Sequence, residues 1–326
     1  ALPKQPQTVG MVTLSADVKG VSLDPKKASL KFNGNVASAY VKGYTYKNLV
    51  MKGTAHDGNY TAKATMRDPN ISFTLDGKAD MNKKYPAVAA KLQLDSINLQ
   101  NLHFTKDYMR VHGNIIADVP TADPDYLNAK IQVTDLLVAQ KDQTIRLDTI
   151  SLVSTANADS STLRLKAPML NAHMAGKYKL TEIAPAMQDL INKYYNTGLA
   201  SNTAAPKYSP QNFRFYMRLV KTSITDKFVP DLKRLDPVLI NGHFDSQAGD
   251  LTVNGSAPKI IYGTNVVNNV LLAVNTKSNA LNYSVTVDEV KASSSIDLLY
   301  TSLTGSAQNN KANLNLQIRD AAKKER

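Results

Sequence analysis

The sequence predicts an all-β protein, built as a long antiparallel sheet with one apolar face. Between Ser29 and Asp320, apolar and polar residues alternate in short segments, as in Leu30-Lys31-Phe32-Asn33 and Ile71-Ser72-Phe73-Thr74-Leu75. Alternation with a period of two places successive side chains on opposite faces of a strand. Because the pattern continues over most of the chain, the apolar face must be covered by a second sheet, by the same sheet curling over, or by a ligand.

Turn residues separate these segments at short intervals, which is the second observation in favour of a β protein. Pairs such as Asp57-Gly58 and Asp76-Gly77, and the triplet Asp68-Pro69-Asn70, carry side chains that preset or tolerate turn geometry. The pattern predicts strands near residues 28–41, 44–54, 59–67, 70–79, 86–95, 97–105, 108–117, 127–134, 136–140, 144–154, 161–167 and 169–179.

The period changes once, near residues 181–197. Apolar residues there, including Ile183, Met187 and Leu190, follow a helical stripe, and Asn196-Thr197-Gly198 forms a stop signal. The sequence therefore predicts one amphipathic helix over 181–197. A stretch rich in Ala, Ser, Thr, Asn and Pro at 198–210 follows and predicts a linker.

Strands resume after Gln211. Segments at 213–219, 238–245, 250–255, 257–263, 267–276, 282–290, 294–300 and 313–319 have strand patterns, and 226–235 fits a short helix or turn. Asn241-Gly242 and Asn254-Gly255 fit either hairpin turns or strand positions that need glycine for close packing. The predicted organisation is a first sheet segment at 1–180, the helix, the linker, and a second sheet segment at 211–326.

Composition supports a folded protein and narrows its chemistry. The 326 residues are 43% hydrophobic and 20% charged, and they include no cysteine, which excludes disulfides, zinc knuckles and thiol catalysis. The net charge of +12 is compatible with an anionic partner. The lysines are spread along strands and turns rather than clustered with aromatic residues, so a solvated outer face is the stronger interpretation, and no nucleic-acid partner is expected.

The sequence contains no pattern that indicates catalysis. The five histidines, His56, His103, His112, His173 and His243, lie on different strands without metal-ligand spacing. No phosphate-binding glycine loop and no serine nucleophile elbow is present. Aspartates fall mostly in turns, where they serve the local backbone. We therefore expect no enzyme activity, no metal and no cofactor.

Several phrases resemble the TamB branch of the AsmA-like family as found in Bacteroidetes-type bacteria. They are Val41-Lys42-Gly43-Tyr44-Thr45-Tyr46-Lys47-Asn48-Leu49, Asp68-Pro69-Asn70, Gly176-Lys177-Tyr178-Lys179-Leu180-Thr181 followed by Ile191-Asn192-Lys193-Tyr194-Tyr195, and Ala257-Pro258-Lys259-Ile260-Ile261-Tyr262-Gly263. Together they cover most of the chain from about residue 28 to 320. The resemblance rests on their order and spacing around the helix.

The resemblance implies a β-taco, which is an elongated U-shaped antiparallel sheet with an apolar groove. It implies an internal fragment of a periplasmic protein whose inner-membrane anchor lies outside this chain. The implied function is bridge-like transfer of phospholipid, with acyl chains in the groove, between inner and outer membranes in support of outer-membrane biogenesis. The implied protein partner is an outer-membrane assembly protein of the Omp85 type, bound by regions outside this chain. The alternative within the family is a scaffold or chaperone for outer-membrane protein assembly and secretion.

Residues in the apolar phase are the candidates for a groove lining: Phe32, Phe73, Leu75, Phe104, Ile131, Leu165, Phe213, Phe215, Leu272, Val285, Leu298 and Leu316. If the sheet closes tightly, these side chains fill an ordinary sandwich core, whereas an open sheet leaves a furrow for acyl chains. A polysaccharide-binding or adhesive domain is a third alternative, but it would need exposed aromatic platforms or acidic calcium loops, which the sequence does not show.

Overall fold

The computed structural model describes residues 9–22, 28–141, 143–198, 208–292 and 296–319. These residues form twenty β-strands and two α-helices, which confirms the predicted all-β class. They group into two compact units. The first contains the described residues up to Asp123 together with Leu127–Val153, and the second contains Pro124–Tyr126 together with the described residues from Ser154 onward.

The first unit is an antiparallel sheet in which each strand pairs with the next along the chain. Its strands are β1 (Val9–Val21), β2 (Ser29–Val41), β3 (Tyr44–His56), β4 (Asn59–Arg67), β5 (Ile71–Asp80), β6 (Ala87–Asn98), β7 (Arg110–Thr121), β8 (Asn128–Gln140) and β9 (Gln143–Leu147). Strand β10 (Ile150–Ala156) begins in this unit and ends in the second.

The second unit has the same antiparallel pairing of successive strands, apart from a short strand, β14, that pairs with the far half of β16. Its strands are β11 (Ser161–Lys166), β12 (Leu170–Lys177), β13 (Asn212–Leu219), β14 (Leu232–Leu235), β15 (Val238–Asp245), β16 (Asp250–Tyr262), β17 (Asn265–Asn275), β18 (Leu281–Ala292), β19 (Ile296–Gln308) and β20 (Lys311–Arg319). The helices are α1 (Leu180–Tyr194) and α2 (Ser223–Phe228).

The division between the units lies earlier than the predicted boundary. Strands β12 and β13 flank α1 and the predicted linker, yet they pair in register from Leu170↔Leu219 to Lys177↔Asn212. Both flanks of the helix therefore belong to the second unit. Most of the predicted linker, residues 199–207, lies outside the described residues.

Several predicted elements differ in the structure. The predicted strand at 97–105 is a loop, because the Asn98 side-chain oxygen accepts the Asn101 amide (3.1 Å) and turns the chain. The predicted break between 127–134 and 136–140 is a register irregularity within one strand, β8, beside Asp135 with φ of 52°. The segment at 226–235 divides into α2 and β14, and β1 lies outside the predicted strands.

The two Asn-Gly pairs lie inside strands. Asn241 pairs with Asn254 and Gly242 pairs with Val253, so neither pair forms a hairpin turn. Of the two predicted alternatives, the strand position is correct.

Helix α1 packs on the apolar face of the second unit and is held at both ends by distant residues. The Asp125 carboxylate accepts hydrogen bonds from the Thr181 amide (2.9 Å) and hydroxyl (2.6 Å) at its N-terminus. At the other end, the Asn310 amide donates to the Tyr194 carbonyl (2.9 Å). Since Asn310 follows β19, the helix crosses one end of this sheet.

The buried contacts of α1 form the main hydrophobic cluster of the second unit. Its apolar side brings Ala186 and Leu190 against strand residues that include Phe244, which is fully buried. The remaining buried members are Tyr178, Tyr194, Phe213, Leu251 and Ala307. The helix therefore belongs to the folded core of this unit.

Replacing Leu190 with Ala should lower the free energy of unfolding by about 2–5 kcal/mol, because the side chain is buried against the sheet. The matched control is Lys193→Ala on the exposed side of the same helix, which should change it by less than about 0.5 kcal/mol. Urea denaturation followed by circular dichroism measures both. Equal effects of the two substitutions would show that α1 is not packed as described.

Candidate functional site

The first unit presents a continuous apolar row across strands β2–β8. Residues directly opposite each other in antiparallel strands point to the same face. Phe32 on β2 and Ile131 on β8, both predicted lining residues, are joined in this way through small residues on the five strands between them. The row, called here the first-unit row, is Phe32, Gly53, Ala62, Gly77, Ala90, Ala117 and Ile131.

Adjacent rows continue the same apolar face. Leu75 and Phe73 lie two and four positions before Gly77 on β5, so they share its face. Leu75 pairs with Leu92 on one side and Ala64 on the other, and Phe73 pairs with Leu94 and Met66. The sequence predicts that the lining candidates Phe32, Phe73, Leu75 and Ile131 share one face, and the strand registers bring them together.

This face is only partly shielded from solvent. Phe32, Phe73, Leu75 and Ile131 are half-buried, and Val18, opposite Phe32 on β1, is 61% exposed. Within the described residues of the first unit no helix lies over the sheet. Residues of opposite phase, such as Lys31, Thr74 and Lys130, are exposed. The described part of this unit therefore has a hydrocarbon face that no helix of the unit covers.

The second unit has a longer row of the same kind. It joins four predicted lining residues, Leu165, Leu272, Val285 and Leu316, across β11–β13 and β15–β20. The row, called here the second-unit row, is Leu165, Ala172, Met217, Ile240, Gly255, Leu272, Val285, Leu303 and Leu316. Leu316 is 58% exposed at its end.

Helix α1 covers the neighbouring rows of this face and leaves the second-unit row outside its cluster. Phe213 is buried in that cluster, and Phe215 packs against it. These two predicted lining residues are therefore core residues beneath the helix. The sequence did not reveal this, because the contact between α1 and the sheet is between residues distant in the chain.

Two predicted lining residues lie elsewhere. Phe104 is 65% exposed in the loop after β6, so the prediction that it lies on a strand is wrong. Leu298 precedes Tyr300, whose φ of 46° interrupts the alternation of β19, so Leu298 is separated from the second-unit row. It belongs to a separate apolar row with Leu235, Ile260, Val267 and Val290.

Aromatic rings on both apolar faces lie across glycines of the neighbouring strand. A Cβ atom added to Gly53 would stand 2.5 Å from the Phe32 ring, and one added to Gly242 would stand 2.5 Å from the Phe215 ring. Tyr283 has the same relation to Gly305. Such rings cover the backbone of the next strand instead of projecting away from the sheet. The signal in the sequence is a glycine in the apolar phase of a strand.

A buried polar corner supports one end of the first sheet. The Asp68 carboxylate accepts hydrogen bonds from the Tyr44 hydroxyl (2.5 Å), the Lys47 amide (2.9 Å) and the Asn70 amide (2.8 Å). Burial, followed by the hydrogen bond to Asp68, raises the pKa of Tyr44. Two of the phrases that carry the family resemblance therefore meet at this corner, where they hold strands β3 and β4 to the turn before β5.

A second polar cluster fastens α1 to β13. Gln211 is fully buried, and its side-chain oxygen accepts the Lys179 amide (2.9 Å) while its nitrogen donates to Glu182 (3.1 Å). Burial alone would raise the pKa of Glu182, but hydrogen bonds from Ser209 and Lys179 outweigh it and hold that pKa below its ordinary value. Nearby, burial raises the pKa of Tyr178 to about 12.

The described residues show no metal site and no membrane-crossing helix. No group of three or more histidine or acidic side chains in them is placed to hold a metal ion. None of their helices is long and apolar enough to cross a membrane. The His243 ring contacts the Asp250 carboxylate (3.0 Å), and the His112 ring contacts the Asp95 carbonyl (3.0 Å), which are local structural contacts.

Comparison of this chain with family models, curated proteins and solved structures finds no match.

Replacing Gly242 with Ala should lower the free energy of unfolding by about 1–3 kcal/mol, because the new Cβ collides with the Phe215 ring and the Thr252 carbonyl. The control is Gly77→Ala, where the nearest atom is 3.8 Å away. That substitution should be neutral or stabilising by up to about 1 kcal/mol. Equal destabilisation by both would contradict the ring-over-glycine packing.

The stability that Glu182 provides should depend on pH. Its pKa is lower in the folded protein than in the unfolded chain, so the ionised side chain stabilises the fold above the unfolded pKa. That contribution is lost as the pH falls through the folded pKa. We expect Glu182→Gln to be less stable than the wild type at neutral pH, with the difference shrinking below pH ~4.3. Urea midpoints from pH 7 down to pH ~3 test this, and a constant difference would contradict it.

Proposed function

We propose that this chain carries phospholipid acyl chains along its apolar sheet faces, as part of a periplasmic bridge-like lipid-transfer protein that supports outer-membrane biogenesis. The observation that carries the proposal is that each unit has an uncharged apolar row that crosses its strands. The other members of the first-unit row are half-buried and Ala62 is exposed, although the row lies at the centre of its sheet. A large apolar surface without a covering layer is typical of a binding surface.

The dimensions of the rows fit a path for hydrocarbon. Nine strands spaced ~4.8 Å apart place Leu165 and Leu316 at the ends of a row of roughly 38 Å. One leaflet of a bilayer has an acyl layer of about 15 Å, half of the hydrocarbon thickness. The second-unit row is therefore longer than one acyl chain, as a surface along which lipid moves requires.

The side chains of the rows favour an occupant over self-filling. Between Phe32 and Ile131 the first-unit row consists only of glycine and alanine. These residues project little from the sheet, and the ring of Phe32 lies across Gly53. A core that fills itself needs large side chains at such central positions to reach normal packing density. A shallow strip between larger residues leaves room for an acyl chain instead.

The alternative function, a scaffold for outer-membrane protein assembly, would use a strand edge. Within the described residues, β1 pairs with β2 on one side only, which leaves a 13-residue edge of the kind that accepts an added strand. The alternative predicts capture of unfolded β-strand peptides by β1 and needs no lipid. It is compatible with the lipid proposal, since the edge and the apolar face are different surfaces.

Photo-crosslinking at adjacent residues on opposite faces tests lipid binding. A diazirine amino acid at Leu75, Ile131 or Leu316 should capture phospholipid in cells, whereas one at Thr74, Lys130 or Asn315 should not, because one residue reverses the face. Mass spectrometry of the crosslinked protein, and native mass spectrometry of protein purified without detergent, identify the adduct. Equal capture from both phases would refute an acyl-lined face.

A charge in the second-unit row should block transfer. Leu272→Arg places an uncompensated charge in the row, where acyl chains cannot solvate it. Its control is Leu271→Arg, one residue away on the opposite face, where the leucine is 48% exposed. Transfer of fluorescent phospholipid between vesicles should fall at least tenfold for Leu272→Arg, the loss expected for roughly 1.4 kcal/mol, and stay near wild type for Leu271→Arg. A folded Leu272→Arg protein with normal transfer would overturn the conduit mechanism.

A further inference from the structure

The polar face of strands β1–β4 contains two pairs of lysines that oppose each other directly. Lys19 on β1 faces Lys31 on β2, and Lys52 on β3 faces Lys63 on β4. The two pairs are neighbours, because Lys31 pairs with Thr54, two residues after Lys52. Like charges in directly opposed positions destabilise a sheet. Four lysines therefore occupy neighbouring positions on one face, and the two opposed pairs lower the stability of the sheet.

Acidic side chains balance only part of this charge. Lys63 is 2.7 Å from Asp76, and Lys19 is 4.0 Å from Asp17. Among the residues that the structure describes, Lys31 and Lys52 have no acidic side chain within 4.0 Å. The two central lysines of the group thus carry the uncompensated charge.

The four lysines surround a hollow. It has a volume of about 500 Å³, and Asn33, Thr54 and Thr61 lie among its lining residues. The Thr54 and Thr61 hydroxyls are 2.8 Å apart and supply further hydrogen-bonding groups. Asp17, Phe32 and Gly53 also line it, so four lysines and one aspartate give the hollow a net positive charge. A concave surface with a net positive charge concentrates anions. We call this site the lysine hollow, defined by Lys19, Lys31, Lys52 and Lys63.

We propose that the lysine hollow binds a soluble ligand that carries two or more phosphate groups. A multivalent anion between the four ammonium groups replaces repulsion with attraction, which a single monovalent ion cannot do for both pairs. The charged donors of the hollow are lysines without arginine. Lysine binds phosphate as a point charge, whereas arginine presents a planar fork to carboxylate and phosphate alike, so this hollow recognises charge without the geometry of a fork.

The four lysines lie on the face opposite to the proposed lipid path, although Phe32 and Gly53 of the first-unit row also line the hollow. Lys52 and Lys63 are sequence neighbours of Gly53 and Ala62 in the first-unit row, so they lie on the opposite face of the same strands. The proposal therefore does not depend on lipid transfer, and each can fail without the other.

Isothermal titration calorimetry with inorganic triphosphate as the probe tests the site. The wild type should bind one triphosphate with an affinity that falls as salt rises. Lys31→Gln/Lys52→Gln should weaken binding by more than roughly tenfold, because two charge-assisted hydrogen bonds are lost. The control, Lys91→Gln/Lys130→Gln, removes the same charge from the same face at positions opposite Asp76 and Asp118, and should bind like the wild type.

Three results would overturn the proposal. Equal weakening in both double variants would indicate attraction to net charge alone. Binding to vesicles that contain acidic phospholipid, without binding of triphosphate, would indicate a membrane-surface contact. No triphosphate binding by the wild type would show that the lysine pairs are merely tolerated. Circular dichroism checks the fold, and the single Lys52→Gln variant repeats the test if the double variant is unfolded.

Discussion

The strand register is the constraint on which the rest of this structure depends. Side chains alternate between faces, so a slip of one residue between two strands would move a hydrocarbon face into water. The first-unit row continues across seven strands because the register irregularities lie at other positions. Beside Asp135 the register of β7 and β8 changes, yet Val111 still meets Val138, so the apolar face continues past the bulge. The bulge adds one residue to β8 and leaves the apolar side chains on the same face of the sheet.

The two units differ in whether a helix covers part of their apolar face. In the second unit, α1 lies over rows that include Phe213 and Phe244 and converts them into a packed core. It can do so because its ends are fixed by Asp125 and Asn310, which come from distant parts of the chain. In the first unit, the described residues contain no such helix, and the comparable positions remain half-buried. One face thus contains rows beneath α1 and a row outside its cluster, while the described residues of the other face have no helix over them.

Alternation in the sequence predicts most of the strands and the phase of most lining residues. Phase alone predicts that Leu165, Leu272, Val285 and Leu316 share a face, and the registers place them in one row. The helix at Leu180–Tyr194 was also predictable, because its apolar stripe is local. These features depend on residues within a few positions of one another, which is the range over which period and turn chemistry act.

The errors arise where distant residues decide the outcome. Phe104 has the phase of a strand residue, but the turn begun by Asn98 takes it out of the sheet. Phe213 and Phe215 have the phase of lining residues, but α1 covers them. Their burial depends on where the helix docks, and docking is fixed by contacts such as Thr181 with Asp125, which are far apart in sequence. Alternation identifies a face but does not tell what covers it.

The polar face shows the same limit for charge. Where β4 meets β5 and β7 meets β8, lysines oppose aspartates, as in Lys63↔Asp76 and Asp118↔Lys130. Opposite charges in these positions stabilise the sheet. Acidic residues therefore do oppose lysines elsewhere in the same sheet. At β1–β2 and β3–β4 the same positions hold lysine on both strands. Spread along the sequence, these lysines look like an ordinary solvated surface, and only the register reveals that they converge. The sheet thus separates two chemistries by a single residue step, with hydrocarbon on one side of β2–β4 and concentrated positive charge on the other.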